Sequence, residues 1–267
     1  MQFNRALVTG GAGFIGSHLV DALVAEGCEV VVIDDLSTGN LSNLEHIKDR
    51  ITFYKGDIRD QDLLRKAADG CEVVFHQAAV VSVPQTVENP IDSAMVNDIG
   101  TLFVLDTARN KNVKRVILAS SCAVYGDDHK LPKVESMTPK PQSPYAVQKI
   151  TGEYYARLYH DLYGFETVCL RYFNVYGPRQ DPSSPYSGVI SIFMSKSISG
   201  QPPVIYGDGN QYRDFIFVKD VVRANLLAAE KDEATGKVFN VGTGGYVRIN
   251  QLWEMIGRIS GFNIEPK

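Results

Sequence analysis

A tyrosine and a lysine four residues apart, Tyr145 and Lys149, are the side chains best suited to acid–base chemistry. Residues at this spacing lie on one face of a helix, where a phenol and an ammonium would be close together. A free phenol, with a pKa of about 10, is a poor base at neutral pH. A nearby positive charge stabilises the phenolate and lowers that pKa, so the pair predicts a tyrosine that removes a proton. Ordinary amphipathic helices also carry such pairs, so further residues must support this interpretation.

A glycine cluster near the N-terminus provides that support. Gly10, Gly13 and Gly16 follow a short apolar run and precede a helical stretch. Gly10 permits a tight turn, Gly13 lets the backbone approach a pyrophosphate, and Gly16 lets the helix pack closely on the strand. The free N–H groups and partial positive charge of the helix N-terminus would face the phosphates. The cluster therefore predicts a dinucleotide-binding loop, the alternative being a turn with no ligand.

Asp34 indicates which dinucleotide is bound. It ends the next predicted strand, 18 residues beyond Gly16. A carboxylate at this place accepts hydrogen bonds from the adenosine ribose and repels a 2′-phosphate, which favours NAD over NADP. Asp57 and Ile58, after the third strand, are expected near the adenine, and residues 77–79, after the fourth, beside the middle of the cofactor. A solvated Asp34 with no ligand is the alternative.

Ser121 completes the candidate catalytic set. It follows the apolar run Arg115–Ala119 and precedes Tyr145 by 24 residues. Its hydroxyl would hydrogen-bond the substrate hydroxyl that Tyr145 deprotonates. The nicotinamide cation would lower the pKa of Tyr145 further, and Lys149 would also hold the nicotinamide ribose. The conjunction of a dinucleotide loop with a serine, a tyrosine and a lysine in this order predicts an enzyme.

The elements that must position these residues alternate along the chain. The predicted strands are Arg5–Val8, Val30–Ile33, Ile51–Lys55, Val73–His76, Arg115–Ala119 and Thr167–Tyr172. The predicted helices are Gly16–Glu26, Asp60–Ala68, a stretch around Ile91–Arg109, Ser143–Tyr163 and Ile249–Ile259. Nearly continuous Val, Ile and Leu strands separated by helices indicate a parallel sheet that is buried on both faces. The predicted fold class is α/β, a Rossmann-type doubly wound parallel sheet.

The composition changes after residue 172. Residues 174–187 and 201–213 are rich in Gly, Pro and polar residues. We predict that they form a smaller mixed α/β lobe over the carboxyl edge of the sheet, where ligands of such folds bind. Residues 1–172 with about 214–240 are accordingly predicted to be the NAD-binding domain, and residues 173–213 with 241–267 the substrate-binding lobe.

The composition also limits the possible partners. With 267 residues, 44% of them hydrophobic, and a net charge of −4, the chain can bury a large core and offers no basic patch to nucleic acid. No apolar run reaches the roughly 20 residues of a membrane span, and the N-terminus leads directly into a strand rather than a signal peptide. The four cysteines are far apart, which fits core thiols in a reducing cytoplasm. The scattered histidines predict no metal site.

Five motifs together resemble the extended short-chain dehydrogenase/reductase family, in its nucleotide-sugar epimerase and dehydratase group. They are residues 9–16 (TGGAGFIG), residues 120–126 (SSCAVYG), Tyr145 with Lys149, residues 171–179 (RYFNVYGPR), and Gly207-Asp208-Gly209 followed by Arg213-Asp214-Phe215. The resemblance covers essentially the whole chain. Family members usually continue for several dozen residues past the helix Ile249–Ile259.

The resemblance implies a reaction. Dehydratases and UDP-glucuronate decarboxylases of the group typically carry an acidic residue just after the catalytic Ser or Thr, whereas this chain has Cys122 and Ala123 there. This favours 4-epimerisation, and the chain most resembles UDP-glucose and UDP-N-acetylglucosamine 4-epimerases. In the implied mechanism, Tyr145 takes the proton of the sugar 4-hydroxyl while hydride passes to tightly bound NAD. The 4-keto sugar then turns and receives the hydride on its other face.

The resemblance also extends the set of expected contacts. The residues expected to bind the cofactor are Gly10, Gly13, Phe14, Ile15, Gly16, Asp34, Asp35, Leu36, Ser37, Thr38, Gly39, Asp57, Ile58, Gln77, Ala78, Ala79, Val81, Asn97, Tyr145, Lys149, Tyr172 and Val175. The residues expected to bind the substrate are Ser82, Ser121, Cys122, Tyr145, Asn174, Gly188, Val189, Val204, Ile205, Tyr206 and Arg213.

Within the smaller lobe, Asn174 and Arg213 are expected to bind the diphosphate, Arg213 as a forked cation. Residues 188–189 would meet the uracil through backbone groups, and residues 204–206 would form a strand beside it. The alternatives are a turn-capping Asn174 and a surface Arg213 that pairs with Asp214.

The sequence leaves alternatives open for the sugar of the substrate and for the class of function. Val81 stands where some UDP-galactose epimerases carry a lysine, and a serine near position 82 is common in relatives that accept N-acetylated or acidic sugars. Interconversion of UDP-glucose and UDP-galactose is the first hypothesis, and a UDP-N-acetylglucosamine or UDP-glucuronate 4-epimerase is the second. A non-catalytic NAD(H)-sensing protein belongs to another class and is disfavoured by the presence of Tyr145 and Lys149. Long helices of the family commonly pair across a dimer, so a homodimer is expected.

Overall fold

The computed structural model describes residues 2–181, 188–262 and 264–267, and the chain divides into two units. The first comprises Met1–Tyr172 and Lys219–Val241, and the second comprises Phe173–Val218 and Gly242–Lys267. The assignment of the cofactor to one domain and the substrate to the other remains a prediction.

The helices and strands have the following bounds. The strands are β1 (Arg5–Thr9), β2 (Glu29–Asp34), β3 (Ile51–Lys55), β4 (Val73–His76), β5 (Arg115–Ser121), β6 (Glu166–Tyr172), β7 (Asn174–Tyr176), β8 (Tyr212–Arg213), β9 (Phe215–Phe217), β10 (Lys237–Val241) and β11 (Val247–Arg248). The α-helices are α1 (Phe14–Ala25), α2 (Gln61–Ala67), α3 (Val83–Glu88), α4 (Pro90–Ala94), α5 (Thr101–Asn110), α6 (Pro144–Tyr163), α7 (Val189–Ile198), α8 (Val218–Glu230) and α9 (Ile249–Ser260). Within the described residues, none of these helices combines the length and the apolar character that a bilayer span needs.

Seven of the described strands form one sheet in the order β10-β6-β5-β4-β1-β2-β3, and all neighbours in it are parallel. The central strands are buried on both faces, as their nearly continuous apolar sequences require. The order 3-2-1-4-5-6 within the sheet is that of doubly wound dinucleotide-binding folds. The predicted fold class is confirmed.

The sheet register brings several strand ends to one edge. Thr9, the last residue of β1, pairs with Ile33 of β2 and with His76 of β4. The strand order reverses between β1 and β4, and ligands of open parallel sheets bind at such a switch point. The loops that carry most of the predicted cofactor residues therefore start from the same edge of the sheet.

The long helix predicted around Ile91–Arg109 is interrupted. It consists of α4, a π-helical segment over Met95–Gly100, and α5. Within the π segment, the buried side chain of Asn97 accepts from the N–H of Val80 at 2.8 Å and donates to its carbonyl at 2.9 Å. These bonds hold the segment against the loop after β4. Segments of this kind are frequent at functional sites.

The strand predicted at Val204–Tyr206 is wrong, because these residues form no strand. Pro202 and Pro203 precede them, and proline has no N–H to offer to a neighbouring strand. Two isolated backbone bonds remain: the N–H of Ile205 donates to the carbonyl of Lys267, and the N–H of Lys267 donates to the carbonyl of Pro203, each at 2.9 Å.

The second unit has a small core of its own. Helices α7 and α9 meet there, and the rings of Phe193 and Trp253 lie edge to face with centres 5.5 Å apart. Ile249, Leu252 and Ile256 add to the buried side of α9 at the spacing of one helix face. Two short strand pairs belong to this unit, β7 parallel to β9 and β8 antiparallel to β11.

Candidate active site

The glycine loop after β1 combines tight packing with one open position. Gly10 has a φ of +68°, in the left-handed region, and a Cβ there would lie 2.7 Å from the backbone nitrogen of Ala78. A Cβ on Gly16 would overlap the carbonyl oxygen of Gly10. A Cβ on Gly13 would meet only that same oxygen, at 3.2 Å. Gly10 and Gly16 therefore serve the packing of the chain, whereas Gly13 leaves space beside the start of α1.

The N-terminus of α1 opens from this loop without a side-chain cap. The first N–H groups of an α-helix have no partners inside the helix, and those of Phe14 and Ile15 are among them. With the positive end of the helix dipole, these groups suit a pyrophosphate. The open space at Gly13 and the uncapped helix start therefore fit a dinucleotide.

Asp34, at the end of β2, is buried, and its carboxylate is fixed by the backbone. One oxygen accepts from the N–H of Ala12 at 2.9 Å and the other from the N–H of Leu36 at 2.8 Å. Burial raises the pKa of Asp34, and the two hydrogen bonds oppose that shift. A Cβ on Gly39 would lie 2.7 Å from the same carboxylate, so a side chain there would displace it. A carboxylate held in this way fits an adenosine ribose and opposes a 2′-phosphate.

The other residues predicted to bind the cofactor have their own partners in the first unit. Asp57 accepts three bonds from the side chain of Arg59 at 2.6–3.0 Å, which lower its pKa. Gln77 and the hydroxyl of Tyr172 bond to each other and to Asn225. These contacts hold the side chains in place, and their cofactor contacts remain predictions.

The remaining predicted cofactor residues lie in the turn after β2, near Ile58, after β4, and in β7. Asp35 accepts from the N–H and hydroxyl of Ser37 at 2.9 and 2.7 Å, in the turn that also holds Leu36 and Thr38. Ile58 is 5% exposed, whereas Val81 is 61% exposed. Ala78 and Ala79 are partly buried after β4, and Val175 lies in β7 of the second unit.

Tyr145 and Lys149 lie in the first half of α6, four residues apart. The ammonium of Lys149 is 5.7 Å from the centre of the Tyr145 ring and donates to the carbonyl of Ala119 at 2.9 Å. Ser121 is the last residue of β5, and its side chain forms a hydrogen bond with the hydroxyl of Tyr145. Its own Oγ also accepts from the N–H of Ala123 at 3.2 Å. The structure thus brings the three predicted catalytic side chains together.

In the protein alone, the pKa of Tyr145 is raised, and its lowering by Lys149 and the nicotinamide cation stays a prediction. Burial raises the pKa of Tyr145 to about 12, and the hydrogen bond with Ser121 opposes this only in part. The ammonium of Lys149 donates to the carbonyl of Ala119. Burial lowers the pKa of Lys149 to about 8. The phenol is therefore held protonated until a further positive charge is near.

His76, at the end of β4, is buried beside this group. Its Nδ1 lies 2.7 Å from the hydroxyl of Thr9 and its Nε2 lies 3.0 Å from the hydroxyl of Thr101. Burial, with a smaller effect from Lys149, lowers the pKa of His76 to about 3. The imidazole is therefore neutral near pH 7 and serves as a hydrogen-bonded link between β1, β4 and α5.

A buried ionic network lies one helical turn beyond Lys149. Arg171 of β6 donates to both carboxylate oxygens of Glu153 at 2.9 and 2.7 Å, and both side chains are at most 5% exposed. The hydroxyl of Ser120 also donates to Glu153, and Arg171 donates to the hydroxyl of Tyr125 at 2.8 Å. The network joins β5, β6 and α6 around the catalytic set. Sequence reasoning missed it, although Ser120, Tyr125 and Arg171 lie within the motifs that carry the resemblance.

Six of the predicted substrate residues line one pocket of the second unit. The pocket has a volume of about 250 Å³, and its lining residues are Asn174, Val189, Phe193, Val204, Ile205, Tyr206, Gln211, Arg213 and Ile249. Phe193, Gln211 and Ile249 were not predicted, because their approach depends on α7, α9 and the loop before β8. An apolar wall with a few polar groups suits a flat organic ligand that carries a polar end.

Two polar residues of this pocket have local partners. The side chain of Asn174 donates to the carbonyl of Asp214 at 2.9 Å, which is the turn-capping contact of the alternative interpretation. Arg213 is exposed and donates to the carbonyl of Tyr212 at 2.8 Å. The carboxylate of Asp214 accepts from Thr243 and Gly244 at 2.6–3.0 Å. Among the described residues, an ion pair between Arg213 and Asp214 is therefore not formed.

The remaining predicted substrate residues lie at element starts. Ser82 is 6% exposed and caps α3 by accepting from the N–H of Gln85 at 3.1 Å. Cys122 is partly buried at the start of a 3-10 turn, and Gly188 precedes α7. Residues 182–187 of the predicted lobe lie outside the described residues. In the part of the chain that the structure describes, no three His, Cys, Asp or Glu side chains are grouped to hold a metal ion.

The fold and these motifs agree with a comparison of the chain with known families. Residues 6–242 match the NAD dependent epimerase/dehydratase family. The chain belongs to this family. It is an enzyme, and its cofactor is NAD. The matched range includes the glycine loop, Asp34 and the three candidate catalytic residues.

This epimerase/dehydratase chain is similar in sequence or structure to three proteins of known name. A UDP-glucose 4-epimerase from Mycolicibacterium smegmatis is 42% identical over 98% of this chain and 85% of its own. The crystal structure of a UDP-glucose 4-epimerase from Thermotoga maritima with UDP-glucose matches with a TM-score of 0.93 and 41% identity, over 98% of this chain and 84% of its own. The structure of a UDP-N-acetylglucosamine 4-epimerase from Methanobrevibacter ruminantium, in complex with UDP-N-acetylmuramic acid, matches with a TM-score of 0.96 and 44% identity. The match covers 100% of this chain and 85% of the other.

Proposed function

We propose that this enzyme is a UDP-hexose 4-epimerase that interconverts UDP-glucose and UDP-galactose through a 4-keto sugar. The observation that carries the proposal is the catalytic set and its immediate neighbours. Ser121, Tyr145 and Lys149 are adjacent, and the residues after Ser121 are Cys122 and Ala123. Elimination from a 4-keto sugar needs an acid–base group beside the neighbouring carbon, and these two positions supply no carboxylate. This arrangement favours oxidation and reduction at one carbon without loss of water.

Each catalytic side chain has a role that its surroundings support. Tyr145 would take the proton of the sugar 4-hydroxyl and later return it, and Ser121 would orient that hydroxyl with a hydrogen bond. Lys149 would stabilise the phenolate through its positive charge. Bound NAD supplies reversible hydride transfer at the sugar carbon. Because burial holds the phenol protonated, proton removal depends on the positive charges placed beside it.

The residues of the first unit that would hold NAD follow from its fit. The glycine loop, with the open position at Gly13 and the N–H groups of Phe14 and Ile15, would bind the pyrophosphate. Asp34 would bind the adenosine ribose, with the turn at residues 35–39 beside it. Tight binding of the cofactor is expected because the reaction has no net redox change and needs no exchange of NAD.

The second-unit pocket would bind the UDP portion of the substrate. Its apolar wall, formed by Val189, Phe193 and Ile205, suits a uracil, and the exposed guanidinium of Arg213 suits a diphosphate. Asn174 would add an amide donor once it leaves the carbonyl of Asp214. In this proposal the pocket would hold the nucleotide while the sugar turns.

UDP-N-acetylglucosamine is the second candidate substrate. The structure from Methanobrevibacter ruminantium, named for that sugar, is 44% identical to this chain with a TM-score of 0.96. Ser82, at the site where relatives that accept N-acetylated sugars often carry serine, is consistent with it. A non-catalytic NAD(H) sensor is disfavoured, because both Tyr145 and Lys149 are present and adjacent.

The proposed assembly is a homodimer. Helix α6 exposes Val147, Tyr154, Leu158 and Leu162, each between 47% and 68% exposed, at a spacing that places them along one side. Exposed apolar side chains grouped on one side of a helix are typical of an interface. A second copy of the same helix would cover them, as expected for the family.

The test is incubation of the purified protein with UDP-glucose, and separately with UDP-N-acetylglucosamine and UDP-glucuronate, without added NAD. Epimers are resolved by chromatography, and the NAD content is measured after denaturation. We expect conversion of UDP-glucose to UDP-galactose by protein that retains NAD. Conversion of only another sugar would replace the proposed substrate. No conversion by NAD-loaded protein would contradict the epimerase proposal itself.

A further inference from the structure

The chain between Ser121, at the end of β5, and Tyr145, in the first turn of α6, is mostly irregular. The structure describes all of its residues, and apart from the 3-10 turn Cys122–Tyr125 they form neither helix nor strand before α6. Irregular backbone does not hold two distant side chains in register by itself. Contacts with the rest of the fold must therefore keep Ser121 and Tyr145 in place.

Tyr125, the last residue of the turn, makes such contacts. Its side chain is 1% exposed. Its hydroxyl donates to the Oδ1 of Asn240 in β10 at 2.6 Å and accepts from the Nη1 of Arg171 in β6 at 2.8 Å. The guanidinium of Arg171 also lies 4.8 Å from the centre of the ring. One hydroxyl thus ties the end of the turn to two strands of the sheet.

Asn240 extends this anchorage to the next part of the segment. Its side-chain amide donates to the carbonyl of Lys133 at 3.0 Å, and its backbone N–H donates to the carboxylate of Glu135 at 2.7 Å. Asn240 therefore connects Tyr125 with residues 133–135, about halfway along the chain to Tyr145.

The start of the turn is tied to the same network. The hydroxyl of Ser120 donates to Glu153, and Glu153 holds Arg171 through two hydrogen bonds at 2.9 and 2.7 Å. Ser121 follows Ser120 directly, and its Oγ accepts from the N–H of Ala123 inside the turn at 3.2 Å. The network therefore holds the chain on both sides of Ser121.

The approach to α6 packs against this turn as well. The N–H of Lys140 donates to the carbonyl of Val124 at 2.9 Å. Gly126, directly after the turn, has a φ of +57°, and a Cβ there would overlap the carbonyl oxygen of Lys140. A displacement of the Tyr125 side chain would therefore also disturb the residues that lead to Tyr145.

We propose that Tyr125 is a positioning residue whose buried hydroxyl keeps Ser121 in place relative to Tyr145. Proton transfer needs groups within hydrogen-bond reach, so a small displacement lowers its rate. Tyr125 touches neither sugar nor cofactor in this account and acts through the turn and through residues 133–140. The consequence for catalysis rests on the proposed epimerase function, whereas the effect on the order of the segment does not.

The substitution Tyr125→Phe removes the hydroxyl and keeps the ring. Its control is Tyr159→Phe, which removes a hydroxyl from a partly buried ring on α6. Asn240→Ala, in the edge strand β10, removes the acceptor of the Tyr125 hydroxyl and tests the same connection should Tyr125→Phe fail to fold. Circular dichroism and NAD content establish that each variant is folded and loaded.

The first measurement is amide hydrogen exchange of the NAD-loaded protein, followed by NMR. We expect Tyr125→Phe and Asn240→Ala to speed exchange at Ala123 and Lys140 by about threefold to tenfold, the size of one lost hydrogen bond. The amide of Leu7, in the buried strand β1, should change less.

Two results of this measurement would overturn the proposal. Equal acceleration at all three amides would show that the hydroxyl serves the stability of the fold alone. No acceleration at Ala123 and Lys140 would show that it does not hold the segment. Neither result depends on whether any UDP-sugar is a substrate, so failure of the proposed function is distinguished from failure of this inference.

The second measurement is kcat and KM on the sugar that the wild type converts. We expect Tyr125→Phe and Asn240→Ala each to lower kcat by about threefold to tenfold. KM should stay within about twofold of the wild type, since the proposed UDP contacts lie elsewhere. Tyr159→Phe should keep the wild-type kcat.

The double variant Tyr125→Phe/Asn240→Ala tests whether the two residues act through one connection. Its loss of kcat should be smaller than the product of the two single losses, because both substitutions break the same hydrogen bond. A double loss equal to that product, or a raised KM with unchanged kcat in Tyr125→Phe, would overturn the kinetic part of the proposal.

Discussion

The ammonium of Lys149 lies 5.7 Å from the ring centre of Tyr145 and is turned toward the carbonyl of Ala119 rather than toward the phenol oxygen. The two side chains therefore share one helix face without a direct bond. In the proposed reaction, Lys149 would therefore assist a phenolate through its charge. It would do so without competing for the hydrogen bond that Tyr145 makes with Ser121.

Tyr145→Phe is expected to reduce epimerase activity by about a thousandfold, because it removes the general base and leaves the ring in place. NAD content is expected to stay close to that of the wild type. The control is Tyr154→Phe, which removes a hydroxyl from a 58% exposed ring on the same helix and should change kcat little. Initial rates with UDP-glucose and NAD content after denaturation check both. Comparable activity in Tyr145→Phe and the wild type would assign the base to another residue.

Gly39→Ala is expected to weaken NAD retention. The new Cβ would lie 2.7 Å from the carboxylate of Asp34, which two backbone N–H groups hold in place. The carboxylate must therefore move away from the place where it would meet the ribose. We expect a clear drop in the NAD content of purified protein, with recovery at high added NAD. Gly245→Ala is the control, because a Cβ there meets only Thr243 at 3.4 Å; equal NAD content in the two variants would contradict this role of Asp34.

Glu153→Gln is expected to destabilise the fold strongly. It removes the negative charge that faces Arg171 in their bidentate pair, where both side chains are at most 5% exposed. Loss of one partner from a buried pair leaves an uncompensated charge, at a free-energy loss of about 3–5 kcal/mol. Chemical denaturation of the NAD-loaded protein measures it. Glu254→Gln, from the exposed pair with Arg258 at 3.6 Å, should change the free energy of unfolding little.

Much of the site could be predicted because its signals are local. Gly10, Gly13 and Gly16 lie within seven residues of one another, and the spacing of Tyr145 and Lys149 places both side chains on one face of a helix. Strand positions follow from runs of Val, Ile and Leu, and the Ser143-Pro144 start of α6 is a local capping pattern that the structure confirms. Features of this kind need no knowledge of distant partners.

The rest depends on contacts that sequence spacing does not reveal. The π segment at Met95–Gly100 is held by Asn97, which bonds to Val80 and Gln148 from outside the segment. Val204–Tyr206 has the apolar character of a strand, yet its prolines and its surroundings give it no continuous partner. The raised pKa of Tyr145 has the same origin, since burial by the whole fold raises it more than the hydrogen bond with Ser121 lowers it.

The buried imidazole of His76 predicts a specific pH dependence of stability. Its pKa is about 3 in the folded protein, against 6.5 for an ordinary histidine. Between these values the unfolded chain binds a proton that the folded protein does not, so the free energy of unfolding rises with pH across this window. The free energy of unfolding that the neutral His76 contributes is fully present above about pH 6.5. It is lost progressively as the pH falls toward 3. One titrating group gives a slope of about 1.4 kcal/mol per pH unit.

His76→Gln isolates this contribution, because the slope rather than the absolute stability is compared. The variant loses some packing at every pH, but between pH 6 and pH 4 its unfolding free energy should fall less steeply than that of the wild type, by about 1 kcal/mol per unit. Urea denaturation at a series of pH values provides the comparison. His129→Gln changes an exposed ring and should leave the wild-type slope intact. Parallel curves for His76→Gln and the wild type would mean that His76 accepts a proton in the folded protein, so that the hydroxyls of Thr9 and Thr101 do not enforce its neutral form.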